Sequence, residues 1–492
     1  MNSQGLTQHI RSQAKWPLHS VAQTQAIEHQ AQATLPAHTL MQRAGLATAQ
    51  LALAIAPHAQ KIWIACGPGN NGGDGFEAAV HLQIWGKQPI VTWLGQEGHG
   101  PADAQQAWQR AKDAGVTFAE HTPEQFGLAI DALLGIGAQR TPEGLMAQWL
   151  QALQTTFMPV LCVDIPTGLH ANTGEWLSAN ASHPTNAQRH TLSLLTLKPG
   201  LFTAMGRDAA GQVWFNNLCV ETAQAPTAWL QQNTQSPSDR PHSSHKGSFG
   251  DVSVIGGAPS MSGAAALAAI AALHGGAGRV FVGVMDASAR HAITAAHPPL
   301  MVRAPEDLDL QTSTVVCGCG GGDDIHTLLP NVLSSSPQLV LDADALNALA
   351  CDTSLQTLLK KRSTRNKSTV LTPHPLEAAR LLNCTTQDVQ HNRLHAAQQL
   401  ADRFQSVVVL KGSGSIMTSP NRTPIINGSG NALLATAGTG DVLAGLIGAY
   451  IARHEDAFEA TCQAVFAHGK VADDWSSTGP ALDAALLAAS VR

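Results

Sequence analysis

The chain has 492 residues, 44% apolar and 13% charged, with a net charge of −6. That length predicts two or three domains, and that apolar fraction excludes a disordered chain. The acidic balance, with no long Lys or Arg run, excludes a general nucleic-acid binder but leaves small cationic phosphate pockets open.

The first twenty residues, "MNSQGLTQHIRSQAKWPLHS", lack the apolar core of a signal peptide. No run of eighteen residues is continuously apolar; "GAAALAAIAALHGGAG" (263–278) comes nearest but is too weakly hydrophobic to span a bilayer. These features predict a soluble, cytoplasmic protein with no membrane partner. The eight cysteines are scattered without a Cys-x2-Cys pair, which predicts free thiols. The 22 histidines show no helical metal-ligand spacing.

In the first half, "KIWIACG" (61–67), "QPIVTWLG" (88–95), "LAIDALLG" (128–135) and "MPVLCVDIP" (158–166) are apolar runs ending in Gly, Pro or Asp. Helix-like segments separate them, which predicts a parallel sheet with functional loops at its carboxyl ends. "CGPGNNGGDGFEAA" (66–79) joins a strand to a helix. Its glycines 69, 72, 73 and 75 predict a tight turn presenting N–H groups to an anion. A ligand-free turn is the plainer alternative, but Asn70, Asn71 and Asp74 favour a site. Asp131 and Asp164 each end a strand. Singly each reads as a cap; together Asn71, Asp131 and Thr167 offer oxygen ligands to a hard cation.

These motifs resemble the NAD(P)H-hydrate epimerase family. The resemblance rests on "LMQRAG" (40–45), "PGNNGGDG", "DALLGIG", "VDIPTGL" and "LKPGL" (197–201). It implies a Rossmann-like three-layer sandwich that interconverts the two epimers of hydrated NADH or NADPH. It also implies substrate contacts from Asn70, Asn71, Gly72, Gly73 and Asp74, and from Gly135, Ile136, Gly137, Ala138, Gln139, Arg140, Thr141 and Asp164. Asn71, Asp131 and Thr167 would hold a potassium ion. Two departures stand out. Thr167 replaces a usual Ser and keeps the hydroxyl. Arg189 stands where the family often has an acid, and a cation near an anionic substrate could alter catalysis. Lys198 reads equally as a polar participant or a strand-end cation.

The composition shifts at "AQAPTAWLQQNTQSPSDRPHSSHKGSFG" (223–250), which predicts a linker over 223–242 between domains 1–222 and 243–492. Beyond it, "DVSVIGG" (251–257), "RVFVGV" (279–284), "STVVCGCG" (313–320), "QLVLDADAL" (338–346), "STVLTPHP" (368–375) and "SVVVLKGSG" (406–414) predict a second parallel sheet. "AGTGDVLAG" (437–445) predicts a helix start whose N–H groups form an anion hole, with Asp441 in the first turn. Capping is the default for such an acid. Beside an anion hole it also suits taking a proton from a hydroxyl during phosphoryl transfer. "LKGSGSIM" (410–417) suits nucleotide phosphates without being a P-loop. His374 is framed by prolines, and Asp342 and Asp344 end a strand as caps or site residues.

The order "TPHP", "LKG", "GTGDVLAG", with "HKGSFG", "MSGAAALAA", "LDADALN" and "FAHG", resembles the ADP-dependent NAD(P)H-hydrate dehydratase family, a ribokinase-like α/β fold. It implies dehydration of the S hydrate using ADP or ATP and Mg²⁺. Asp441 would be the base and a substrate contact. Lys411, Gly412, Ser413, Gly414, Ser415 and Gly440 would hold the nucleotide. Ala264, Gly318 and His374 would line the substrate pocket. "GCGGGDD" (318–324) departs from the family's Gly-Pro-Gly at Cys319.

The leading expectation is a two-domain cofactor-repair enzyme. Its rivals are a ribokinase-like alcohol kinase and a chain whose first domain only binds ligand. The sequence leaves homo-oligomerisation, ADP against ATP, and NADH against NADPH hydrate open.

Overall fold

The computed structural model describes residues 5–177, 188–233, 243, 245–453 and 456–491. The chain packs as two compact units, Met1–Leu230 and Gln231–Arg492.

The first unit holds an eight-stranded sheet. Its strands are β1 (Gln8–His9), β2 (Lys61–Cys66), β3 (Gln88–Trp93), β4 (Thr117–Ala119), β5 (Leu128–Ala132), β6 (Val160–Val163), β7 (Arg189–Leu194) and β8 (Gln212–Asn216). They run in the order β1-β8-β7-β6-β5-β2-β3-β4. Every neighbouring pair is parallel except β1 with β8. β2 explains why such strands read as unbroken apolar runs. Ile62, Ile64 and Cys66 enter one core, while Trp63 and Ala65 enter another on the opposite face. Helices cover both faces, giving three layers. On one face α1 (Thr39–Ile55) crosses α2 (Asn70–Ile84) closely, since a Cβ on Gly45 would lie 2.2 Å from that of Glu77.

The strands of the second unit are β9 (Asp251–Gly256), β10 (Arg279–Val284), β11 (Met301–Arg303), β12 (Thr314–Cys317), β13 (Gln338–Leu341), β14 (Ser368–Leu371), β15 (Val407–Leu410), β16 (Ile416–Thr418) and β17 (Ile425–Asn427). They lie in the order β11-β10-β9-β12-β13-β14-β15-β16-β17. All pairs are parallel up to β15; β16 and β17 return as antiparallel hairpin strands. The helices that matter for the site are α3 (Ser262–His274), α4 (Ala343–Cys351), α5 (Pro375–Leu382), α6 (Thr439–Arg453) and α7 (Ala457–Asp473). α6 rests on α3 with no side chain between them at one point. A Cβ on Gly445 would fall 1.9 Å from the Ala268 carbonyl oxygen. Among the described residues no helix is long and apolar enough to cross a membrane.

The segment expected as a linker is partly structured. Ala228–Gln231 form a strand, with Ala228 and Leu230 buried and Trp229 half-buried. That alternation is too short to stand out among the surrounding Gln, Pro and Thr. Residues 234–242 of the expected linker lie outside the described residues. All eight cysteines are free, as predicted.

Candidate functional sites

In the first unit a cavity of about 380 Å³ opens at the carboxyl ends of the strands. Of the residues the sequence pointed to, Asn70, Asn71, Asp74, Gly135, Ile136, Gly137, Ala138 and Asp164 line it. The glycine run is not a loop before a helix but the helix itself, since α2 begins at Asn70 with Gly69 as its cap. Gly72 and Gly73 do not line the cavity. A Cβ on Gly72 would lie 2.1 Å from the Gly67 carbonyl oxygen, and one on Gly73 would strike Met41. These glycines let the helix start sit against the strand end. Gln139, Arg140 and Thr141 are exposed and lie outside the lining, with Thr141 donating to the Leu177 carbonyl.

Asp131 is fully buried and well supplied with donors. It accepts from the Thr167 hydroxyl at 2.7 Å, the Thr167 N–H at 3.0 Å and the Leu133 N–H at 3.3 Å. The Thr167 oxygen accepts in turn from the Leu134 N–H at 3.1 Å. Asn71 stands beside the same segment, its amide oxygen 3.2 Å from a Cβ on Gly135, and its buried amide nitrogen has no partner. Turned about its last bond, that amide presents an oxygen there. The donor set is then wholly oxygen, which fits a hard monovalent cation.

Asp164 holds a left-handed backbone (φ 66°), the kind of strain that gathers at functional sites. Its carboxylate accepts from the Leu194 N–H at 3.1 Å and pairs with the fully buried Lys198. Lys198 also donates to the Leu194 carbonyl at 2.7 Å. Burial, then the charge of Asp164, pushes the Asp74 carboxyl well above the usual range. Glu28 is raised by the same two causes. The cavity therefore sets two carboxyls that hold their protons more tightly than usual beside an ion-paired carboxylate. Glu28, Gln25 and Gln32 come from a helix, Val21–Gln32, that sequence reasoning missed. Their spacing of three and four residues was the available signal.

Arg189 is not at this site. It opens β7, whose other end, Leu194, reaches the cavity. Five residue steps along the strand, roughly 16 Å at about 3.3 Å per step, separate them. Arg189 is buried at the amino end of the sheet, with Nε and Nη1 unpartnered. The expected conflict with an anionic substrate does not arise.

In the second unit three neighbouring strands end at one point. Asp342 follows β13, Thr372 follows β14 and Lys411 follows β15. Lys411 Nζ and the Thr372 hydroxyl both donate to Asp342 Oδ1, each at 2.7 Å. Glu377 lies 3.9 Å from Lys411. Burial acts to lower the Lys411 pKa, but Asp342 and Glu377 hold it above its ordinary value. Burial pushes Glu377 up to about 7 against the pull of Lys411. Gly440 adjoins this pair, since a Cβ there would sit 3.3 Å from Lys411 Nζ. Asp441 lies in the first turn of α6, as its position in the sequence predicted. Burial, then the charge of Asp342, raises its carboxyl to about 6. Cys319 Sγ and oxygens of Asp342 and Asp441 lie within 4.8 Å of one another. A thiol, and an aspartate already held by a lysine, do not suit a hard cation such as Mg²⁺.

The surroundings hold these groups in place. The backbone after β15 turns at Gly412, where φ is 137° and a Cβ would sit 2.9 Å from Arg393 Nη1. The buried Arg393 donates to the Leu410 and Lys411 carbonyls at 3.3 and 3.2 Å. Ser415 donates to the Gly412 carbonyl at 3.1 Å and closes the turn, with Ser413 exposed and Gly414 left-handed. His374 caps α5, accepting at Nδ1 from Leu376 and Glu377 N–H groups. Burial lowers its pKa. Ala264 lies in the first turn of α3, against Gly320. Gly318 (φ 118°) packs within 2.0 Å, by its missing Cβ, of the Asp342 carbonyl oxygen. Glu377 and His468 were not singled out from sequence, and Cys319 stood out there only as a departure within a turn. His468 is buried, its pKa pushed down to about 4, and its Nε2–H donates to the Thr439 carbonyl at 3.0 Å. "FAHG" alone could not distinguish that role from core packing.

The repair enzyme named bifunctional NAD(P)H-hydrate repair enzyme Nnr, from Escherichia coli (strain K12), is 36% identical over 470 residues, covering 89% of this chain and 85% of that one. This chain belongs to the bifunctional NAD(P)H-hydrate repair enzyme family. Within the family's two-part layout, residues 37–200 match the family described as YjeF-related protein N-terminus. Residues 252–491 match the one described as NAD(P)H-hydrate dehydratase. A protein from Neisseria meningitidis serogroup B, named ADP-dependent (S)-NAD(P)H-hydrate dehydratase, is 41% identical over 240 residues, covering 48% of this chain and 80% of its own length. A crystal structure of the ADP/ATP-dependent NAD(P)H-hydrate dehydratase from Bacillus subtilis, co-crystallized with ATP/Mg²⁺, is 29% identical with a TM-score of 0.45, covering 51% of this chain and 90% of that one. Both site regions described above lie largely within these matched stretches. The helix Val21–Gln32 lies outside the two family matches, 37–200 and 252–491.

Proposed function

We infer that this repair enzyme restores hydrated nicotinamide cofactor in two steps. The first unit interconverts the R and S epimers of hydrated NADH or NADPH; the second dehydrates the S epimer at the expense of ADP. The observation that carries this reading is the junction of Asp342, Lys411, Gly440 and Asp441 in the unit that matches the dehydratase family.

Water adds to a dihydropyridine ring with its hydroxyl on the carbon next to the ring nitrogen. Loss of that hydroxyl needs a better leaving group. Asp441, ionised, takes the hydroxyl proton as the oxygen attacks the terminal phosphorus of the nucleotide. The phosphorus–oxygen bond to the departing nucleotide breaks, and the freed nucleotide carries the electron pair. The ring nitrogen then expels inorganic phosphate, and loss of a proton from the neighbouring carbon restores the double bond. Lys411 and the N–H groups at the start of α6 face the charge that gathers on the phosphoryl oxygens. The turn Lys411–Ser415 holds the nucleotide, and Ala264, Gly318 and His374 border the hydrate. The Cys319 cluster does not suit Mg²⁺, which would come with the nucleotide and supply charge neutralisation at its phosphates.

In the first unit, Asp164 and Asp74 both line the cavity and suit the base and the acid required to break and remake a bond at the hydroxyl-bearing carbon. Asn71, Asp131 and Thr167 suit a potassium ion by their oxygen donors. The alcohol-kinase rival has no observation in its favour beyond the shared fold.

The test is a coupled assay with purified R and S hydrates and ADP. Return of the reduced-nicotinamide absorbance from S hydrate alone supports dehydration, and return from R hydrate at a matching final level supports epimerisation. Accumulation of a stable phosphorylated hydrate with no absorbance gain would overturn the dehydratase reading.

A further inference from the structure

Cys319 occupies an unusual place for a thiol. It is fully buried, and its Sγ faces two aspartates in the second unit. The turn that presents it is fixed on both sides. Gly318 and Gly320 flank it with left-handed φ values of 118° and 59°. The Cys319 carbonyl accepts from the Gly257 N–H at 3.0 Å, and the Gly320 carbonyl from Ala258 at 2.7 Å. Asp344 accepts from the Gly322 N–H at 2.9 Å. The side chain is therefore aimed by backbone geometry.

Of the two aspartates, Asp342 is already occupied by Lys411 and Thr372. Asp441, with a carboxylate oxygen within 4.8 Å of Sγ, is the acceptor left to the thiol. Burial, then the charges of Asp441 and Asp342, pushes the thiol well above its ordinary pKa, so it stays protonated and remains a donor. An S–H is a weak donor that costs little to break, which suits steering a group that must itself accept a proton.

We propose that Cys319 is a positioning residue for the dehydratase base, donating its S–H to the Asp441 carboxylate and keeping that carboxylate aimed at the substrate hydroxyl. The proposal rests on the dehydratase reading of this site. Cys319 touches neither nucleotide nor hydrate in it; it acts through Asp441.

Two measurements decide it. In the assay, Cys319→Ala lowers turnover about two- to threefold, the low end of what one hydrogen bond is worth, and leaves the nucleotide KM unchanged. Its acid limb of turnover against pH moves to higher pH, because the ionised base has lost a donor. Cys319→Ser, which keeps a donor of similar size, returns the limb toward its original position. A folded Cys319→Ala enzyme with an unmoved acid limb, or a Ser variant no better than Ala, overturns the proposal. The second measurement needs no turnover. In the infrared spectrum of the full chain, a bonded S–H stretch moves to the unbonded frequency in Asp441→Ala; an unchanged S–H region overturns the contact. Should the wild-type chain fail to dehydrate S hydrate, the dehydratase reading fails by the assay, while the infrared comparison still decides whether the thiol holds Asp441.

Discussion

Each unit places a lysine–aspartate pair at the carboxyl edge of its sheet, and the two pairs differ in what surrounds them. Lys198 is fully buried, with Asp164 and the Leu194 carbonyl as acceptors. Lys411 is 17% exposed and adjoins Gly440 at the start of a helix, with Asp342 at 2.7 Å and Glu377 further off. Enclosure fixes the first ammonium to its own carboxylate. Partial exposure lets the second share its charge with an arriving phosphate. The same two residue types thus serve to set a carboxylate in one unit and to receive an anion in the other.

The largest expected effect lies beside the open pair. Asp441→Asn lowers dehydratase turnover by about 10²- to 10⁴-fold, the usual worth of general base catalysis, with nucleotide affinity kept. Single-turnover kinetics and nucleotide titration check this, and near-normal turnover would remove Asp441 from the base role. The two lysines are then compared directly by Lys198→Met and Lys411→Met. Lys198→Met lowers folding stability by about 3 kcal/mol, because the partly buried Asp164 loses its compensating ammonium. Lys411→Met leaves the more deeply buried Asp342 with the Thr372 hydroxyl as donor, so it loses stability as well, but it alone raises the nucleotide KM, by about tenfold for a charge-assisted contact. Denaturant midpoints and KM values for both variants would break the contrast if the two KM rises were equal.

A smaller effect is one of pH. Asp441 must be ionised to act, and with its carboxyl raised to about 6, turnover falls as pH drops through about 6. The stability term runs the other way. A carboxyl raised in the folded chain holds its proton longer there than when unfolded, so ionising it costs stability as pH rises from about 4 through the folded value. Glu377, raised to about 7, extends that window. Melting curves of wild type and Asp441→Asn between these limits check the sign: the difference between them should grow as pH rises. The smallest effect is at Arg189. Its place at the amino end of β7 predicts epimerase turnover within about twofold of wild type for Arg189→Met, measured with purified epimers. A large loss would bring that residue back into the site.

Much of this was legible in the sequence. The strands around the two sites show as apolar runs because a parallel sheet is buried on both faces. β7 and β8 did not show, since "RHTLSL" and "QVWFN" mix polar residues into short strands. Asp441 was readable because a helix start after Gly-x-Gly is a local pattern. The partnership of Lys411 with Asp342 was not, because parallel strands bring residues 69 positions apart to one edge. Glycines were the least decipherable. Gly72, Gly73 and Gly445 resemble ligand-binding glycines in sequence, but Gly72 and Gly445 are close contacts between backbones and Gly73 makes room for the Met41 side chain. Only the structure separates a glycine that meets a ligand from one that meets a neighbour.

Gly445 carries a consequence of its own. The helix that bears Asp441 is mounted directly on the helix Ser262–His274, without a cushioning side chain. Its carboxylate can be displaced only by sliding one rod along the other. Small residues on the far helix, such as Ala268, therefore act as shims for the base, and a single added methyl there should be felt as a change of alignment several residues away.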